Sequence, residues 1–334
     1  MVDRIPSGTR DVLPDEMQEL RAMTDRIRGV FESAGYGEVY TPALEYDSTF
    51  AREDRRPGHG AWSATHPAYR MFDEQGNVLV LRPDMTIPIA RVVATRYAHV
   101  EPPFRFSYFA HAYRGVRPQR GQSRELLQAG VELIGAAAPE GTAEALTVLC
   151  AALDAAGLET YRVGLGDASL YPELLATLGV EEAARDRVLT ALARGNFVDV
   201  EAEIRELPLD PADAKLLLKV PRIRGGPEVL AGLPDRLEAA ATGMRAVHRL
   251  LDPGVAGRVI FDLGLVRSLG YYTGAVFQVY DPAHGVPIGS GGRYDELLAG
   301  FGRPLPAVGF ALGVERVHIA LAGEERGLGT WSPG

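Results

Sequence analysis

Residues 104–135, FRFSYFAHAYRGVRPQRGQSRELLQAGVELIG, constrain this chain more than any other stretch. Two runs rich in aromatic, apolar and β-compatible residues flank a polar hinge at 115–123. The pattern predicts two antiparallel strands joined by a long basic loop. Arg114, Arg117, Arg120 and Arg124 lie in or beside that loop, with Glu125 the one acid nearby. Guanidinium groups present planar forks of donors that suit carboxylates and phosphates. Such a hairpin is built to hold an anionic ligand over a sheet, although the loop alone reads equally well as a solvated basic turn.

The rest of the chain alternates strand and helix signals in an α+β pattern. Residues 14–34 predict an amphipathic helix with Met17, Leu20, Ile27, Val30 and Phe31 at helical spacing. Pro14, Asp15 and Glu16 suit its first turn and Gly35 its end. A short strand stopped by Pro42 follows, placed at an edge or interface. Residues 51–68 read as a surface loop and 69–82 as a hairpin turning at EQGN. Thr86 is expected to cap a helix that starts near Pro88. A helix over 142–157 and a strand over 161–167 come next. Residues 170–252 are helical in pattern and broken by prolines, which predicts an inserted helical region. Strand texture returns from Arg258, and 306–316 lead toward a helix.

Composition excludes several classes. The 334 residues are 46% hydrophobic and 24% charged, ordinary for a globular chain. No apolar stretch is long enough to span a bilayer, and the charged N-terminus predicts no secretory signal. A single cysteine, Cys150, rules out an internal disulfide and a cysteine metal cage. The histidines lack metal-ligand spacing such as HExxH. A net charge of −9 argues against a large nucleic-acid footprint. Lys215 and Lys219 are the only lysines, so arginine carries nearly all positive charge and each one is not by itself a phosphate ligand.

Four stretches together carry a resemblance. The strand ending at Pro42, the loop around Arg114 and the GFALGVER run ending at Arg316 have the order of motifs 1, 2 and 3 of class II aminoacyl-tRNA synthetases. Between the last two, LVRSLGYYTG at 265–274 resembles the LVRGLDYY signature of histidyl-tRNA synthetases, and GGRYD at 291–295 is similar to that family too. The resemblance covers about residues 5–320 and implies a class II synthetase-like antiparallel sheet flanked by helices, as one core domain over 1–322 with the insertion at 170–252 and a tail at 323–334. Motif 1 implies a homodimer. Arg114, Arg124 and Arg316 stand where the family binds phosphate or other anions. Asp84, Thr86 and Gln128 match the family's ammonium site, Glu132 and Tyr272 its imidazole site, and Arg267 its carboxylate ligand, with Tyr271 in the same histidine-binding set.

The departures shift the functional reading. Val116 replaces the glutamate that meets adenine in the synthetases, and Leu126 the ring on which adenine stacks. Loss of a polar reader and a platform damages discrimination of the base. Gln122 and Gly270 also depart from the synthetase pattern. The chain ends at Gly334, which leads to the expectation of no anticodon-binding domain. LRPDMTIPIAR, at 81–91, resembles the version in regulatory subunits of ATP phosphoribosyltransferase, which are paralogues of these synthetases. That resemblance implies a cytoplasmic, non-catalytic subunit in a hetero-oligomer, as a hetero-octamer, with a short-form catalytic subunit. It implies feedback regulation by histidine as an effector in the first step of histidine biosynthesis, with no cofactor, metal, tRNA or membrane. The alternative is a truncated synthetase-like enzyme that activates histidine with ATP.

Overall fold

The computed structural model describes residues 5–54, 68–115, 123–265 and 271–328. Its strands are β1 (Gly37–Glu38), β2 (Leu44–Tyr46), β3 (Arg70–Phe72), β4 (Val78–Leu81), β5 (Phe104–Tyr113), β6 (Glu125–Ile134), β7 (Arg162–Asp167), β8 (Arg224–Gly225), β9 (Val259–Asp262), β10 (Ala275–Asp281), β11 (His284–Arg293) and β12 (Ala307–Gly313). Nine of these form one sheet, in the order β1-β5-β6-β12-β11-β10-β7-β9-β8, and β2-β4-β3 form a second. The α+β, synthetase-like reading holds, with one refinement. The large sheet is mixed, because β1 runs parallel to β5 and β7 parallel to β9.

The expected central hairpin is the heart of the sheet. β5 and β6 pair from Phe104↔Ile134 to Tyr113↔Glu125. Strand side chains alternate between faces. Phe104, Phe106, Tyr108 and Ala110 therefore share one core with Ile87, Ile89 and Val93. Ala129, Val131 and Leu133 enter the opposite core with Leu146, Leu149 and Leu153. That alternation delivers Gln128, Gly130 and Glu132 to the same face as Tyr108 and Ala110.

Helices cover both faces of the sheet. α1 (Pro14–Ser33) has its proline in the first turn and buries Leu20, Met23, Ile27 and Phe31 at three- and four-residue spacing. α2 (Asp47–Asp54) replaces part of the expected surface loop; residues 55–67 lie outside the described ones. α3 (Thr86–Arg96) starts without a threonine cap. Its N-cap is Met85, and the Ile87 N–H donates to Asp84 Oδ1 at 3.2 Å. Thr86 already sits in the first helical turn, so its hydroxyl is released for another partner. α4 (Glu140–Ala156) packs on α1 and ends at Gly157, whose φ of +106° suits the left-handed cap.

The region after β7 is helical, from Leu170–Thr177 to Glu238–Leu250. Its Leu174, Val188, Leu217 and Met244 join the same apolar cluster as Val163 and Phe261 of the sheet. It also contributes β8 beside β9, which the proline-broken pattern did not announce. Around Pro42 the strand signal shortens to β1 and β2, two and three residues long. Within residues 306–316, β12 runs over Ala307–Gly313 before the helix Val314–Glu325 begins.

Candidate functional site

Glu132 is the centre of the site. It is 1% exposed on β6. Thr86 Oγ1 donates to its Oε1 at 2.7 Å, and the Tyr294 hydroxyl donates to Oε2. Burial pushes the carboxyl up to about 8, against the pull of the Tyr294 and Thr86 hydroxyls, while Asp84 adds to the rise. Burial first, and then the charge of Glu132, also raises the Tyr294 phenol well above its ordinary value. Space for the carboxyl depends on a glycine of the neighbouring strand. A Cβ on Gly309 of β12 would sit 1.9 Å from Glu132 Oε2. A Cβ on Gly130 would likewise meet the Tyr108 hydroxyl at 2.4 Å.

Around this carboxyl lies a cavity of 60 Å³, lined among others by Asp84, Thr86, Gln128, Tyr271, Tyr272 and Arg114. That is room for about two waters at ~30 Å³ each, or for a small ring. The structure thus gathers six of the seven residues assigned to amino-acid binding. Arg267 lies outside the described residues. Asp84 arrives from the turn before α3, Gln128 and Glu132 from β6, and the tyrosine pair from the segment before β10. Tyr271 and Tyr272 rings stand 5.0 Å apart, and Tyr271 meets Tyr294 edge-on at 5.8 Å.

A second cavity of 230 Å³ adjoins the first and shares Arg114, Gln128, Ser290 and Ala311 with it. Arg316 and Leu126 line it, together with Gln278 of β10 and Ala193 from the inserted helices. The Arg316 Nη1 donates to the Pro287 carbonyl at 2.8 Å, and burial lowers the pKa of its guanidinium. Among the described residues Arg316 makes no salt bridge. The Arg114 N–H closes the hairpin on the Arg124 carbonyl at 2.8 Å. Arg124 lines neither cavity; its guanidinium donates to the Ser7 carbonyl at 3.0 Å and ties down the N-terminal segment. Val116, Gln122 and Gly270, the other departures from the synthetase pattern, lie outside the described residues.

Comparison with known proteins matches residues 8–317 to the family described as histidyl-tRNA synthetase. The chain belongs to this family. Within the histidyl-tRNA synthetase family, similar relatives are ATP phosphoribosyltransferase regulatory subunits. That of Symbiobacterium thermophilum is 40% identical over 99% of this chain and 82% of its own length. That of Desulforamulus reducens is 38% identical over 95% and 79%. Among solved structures, an ATP phosphoribosyltransferase regulatory subunit/histidyl-tRNA synthetase from Bacillus halodurans superposes with a TM-score of 0.85 at 33% identity, covering 96% of this chain and 84% of its own. Histidyl-tRNA synthetase from Nostoc shares the fold, with a TM-score of 0.78 at 21% identity over 98% and 77%.

Three contributors to the site escaped sequence reasoning: Tyr294, Tyr108 and Gly309. Tyr294 belongs to the GGRYD stretch that carried the family resemblance, so its presence was marked but its partner was not. Tyr108 was legible only as an apolar strand residue, and Gly309 only as the first residue of the GFALGVER run.

Proposed function

We propose that this chain is a regulatory subunit of ATP phosphoribosyltransferase that performs no bond-making step of its own. In this reading it docks on a short-form catalytic subunit, is required for that subunit's activity and relays inhibition by histidine. One observation carries the reading: Asp84, Thr86, Gln128, Glu132, Tyr271 and Tyr272 line one cavity, while the nucleotide half has Leu126 where a stacking ring is needed. An amino acid brings a cation, a carboxylate and, in histidine, an imidazole. Asp84 and Gln128 offer acceptors to the ammonium, and Glu132 with the tyrosines offers polar partners to the ring. The ring fits the 60 Å³ cavity and the backbone of the ligand extends toward the 230 Å³ one.

The chain dimerises in this reading through the motif 1 surface. Tyr40 and Phe72 are 83% and 76% exposed there, beside the exposed Leu44, Tyr46 and Met71. Among the described residues no helix is long and apolar enough to cross a membrane. The experiment is reconstitution with a short-form catalytic subunit. Product formation from ATP and phosphoribosyl pyrophosphate should rise on adding this chain and fall again with histidine. Full activity of the catalytic subunit alone, indifferent to this chain, refutes the reading. A histidine-activating enzyme is the second reading, favoured by Arg114 and Arg316 lining one cavity. Histidine-dependent ATP–pyrophosphate exchange at roughly 1 per second or faster would establish it instead.

A further inference from the structure

Glu132 is a fully buried carboxyl with no cation bonded to it among the described residues; its oxygens meet only hydroxyls. The groups facing it from each packed element are Asp84 ahead of α3, Tyr108 of β5, Tyr271 and Tyr272 before β10, and Tyr294 after β11. Tyr36, from the segment after α1, feels its charge from the helix side. Arg114 lines the same cavity where it opens into the larger one. The immediate shell is thus one further carboxyl and four phenols. An unpaired carboxylate is strongly disfavoured in such a shell, whereas the neutral acid is not.

We propose that Glu132 enters the ligand complex as a hydrogen-bond donor, its carboxyl O–H donating to the unprotonated nitrogen of a neutral imidazole-like ring, with the proton kept on the carboxyl. This deepens the histidine-site reading above and rests on it. The burial that holds the carboxyl up to about 8 keeps it protonated at neutral pH, where a free imidazole with a pKa of roughly 6.5 is mostly neutral. One proton then lies between acid and ring, before and after binding. The selectivity follows: an amino acid whose ring lacks an acceptor nitrogen leaves the buried O–H unpaired and is rejected.

Proton counting tests this on the full chain. Histidine is titrated calorimetrically at pH 7.2 in phosphate and in Tris, and at pH 5.5 in acetate and in MES, the buffers of each pair differing in ionisation heat. The proposal expects close to zero net protons at pH 7.2, and release of about one at pH 5.5, where the free ring is itself protonated. Uptake of about one proton at pH 7.2 with none released at pH 5.5 overturns it, since that is the signature of an ionised Glu132. Glu132→Gln, which keeps a donor N–H, should bind within roughly tenfold of wild type, while Glu132→Ala should not; a hundredfold loss in Glu132→Gln overturns the donor role. If no heat appears with wild type, the histidine reading fails. The proton is then judged alone by infrared difference spectra at pH 7. A carboxylic-acid band that vanishes in Glu132→Gln supports the held proton, and its absence overturns it.

Discussion

Replacing Gly309 by alanine perturbs the site through a single methyl group. The new Cβ would stand 1.9 Å from Glu132 Oε2, 2.7 Å from its Cδ and 2.6 Å from the Val131 carbonyl oxygen. Ordinary carbon–oxygen contact begins well beyond these separations. Val131 O belongs to the sheet and cannot retreat, so the Glu132 carboxyl must move by more than an ångström. That motion breaks its bonds to Thr86 and Tyr294. Overpacking costs ~1–3 kcal/mol, and leaving a buried polar group unpaired a further ~1–3 kcal/mol. At roughly 1.4 °C per kcal/mol for a chain of 334 residues, the melting temperature should fall by roughly 3–8 °C. The control is Gly29→Ala. Gly29 is exposed inside α1 with nothing within 4 Å of a Cβ, so alanine there should stabilise by ~0.5–1 kcal/mol. Thermal and urea unfolding of both variants reads the difference. A Gly309→Ala chain that melts like wild type and still binds histidine refutes the reasoning that Glu132 occupies the space a Cβ would need.

Glu132 also sets a pH dependence of stability. Its carboxyl stays protonated in the folded chain up to about 8, against 4.5 as its ordinary value. The folded state thus holds a proton that the unfolded state has already released. The contribution is fully present below pH ~4.5 and is lost as pH climbs through about 8, by up to roughly 5 kcal/mol. In Glu132→Gln that slope should disappear from urea midpoints measured between pH 5 and 9; an unchanged slope counts against a protonated Glu132. Phe72→Asp, on the exposed three-stranded sheet, should turn a dimer into a monomer by light scattering at micromolar concentration, and a wild type that is already monomeric excludes the interface. Exchange of pyrophosphate into ATP should stay at background with histidine present, because Leu126 offers no stacking platform; synthetase-like rates return the chain to the enzymes.

Much of the scaffold was legible from local pattern. The hairpin at β5 and β6 announces itself through two alternating runs around a basic turn, and α1 through its apolar spacing, opening proline and closing glycine. Both signals depend on neighbours two to four residues apart, which is the range over which strand and helix periodicity acts. The family resemblance, position by position, was enough to group Asp84, Thr86, Gln128 and Glu132, which line one cavity. The three-dimensional structure decided what those residues do there. Thr86 reads as a helix cap, yet its hydroxyl serves Glu132 from 46 residues away. Tyr294 reaches the same carboxyl across 162 residues, a separation that no local pattern encodes. Glu132 by sequence is an ordinary acid on a strand. Its pKa rises because burial beside Tyr108, Asp84 and the bare Cα of Gly309 outweighs the pull of the Tyr294 and Thr86 hydroxyls, and burial of that kind is a property of the assembled sheet.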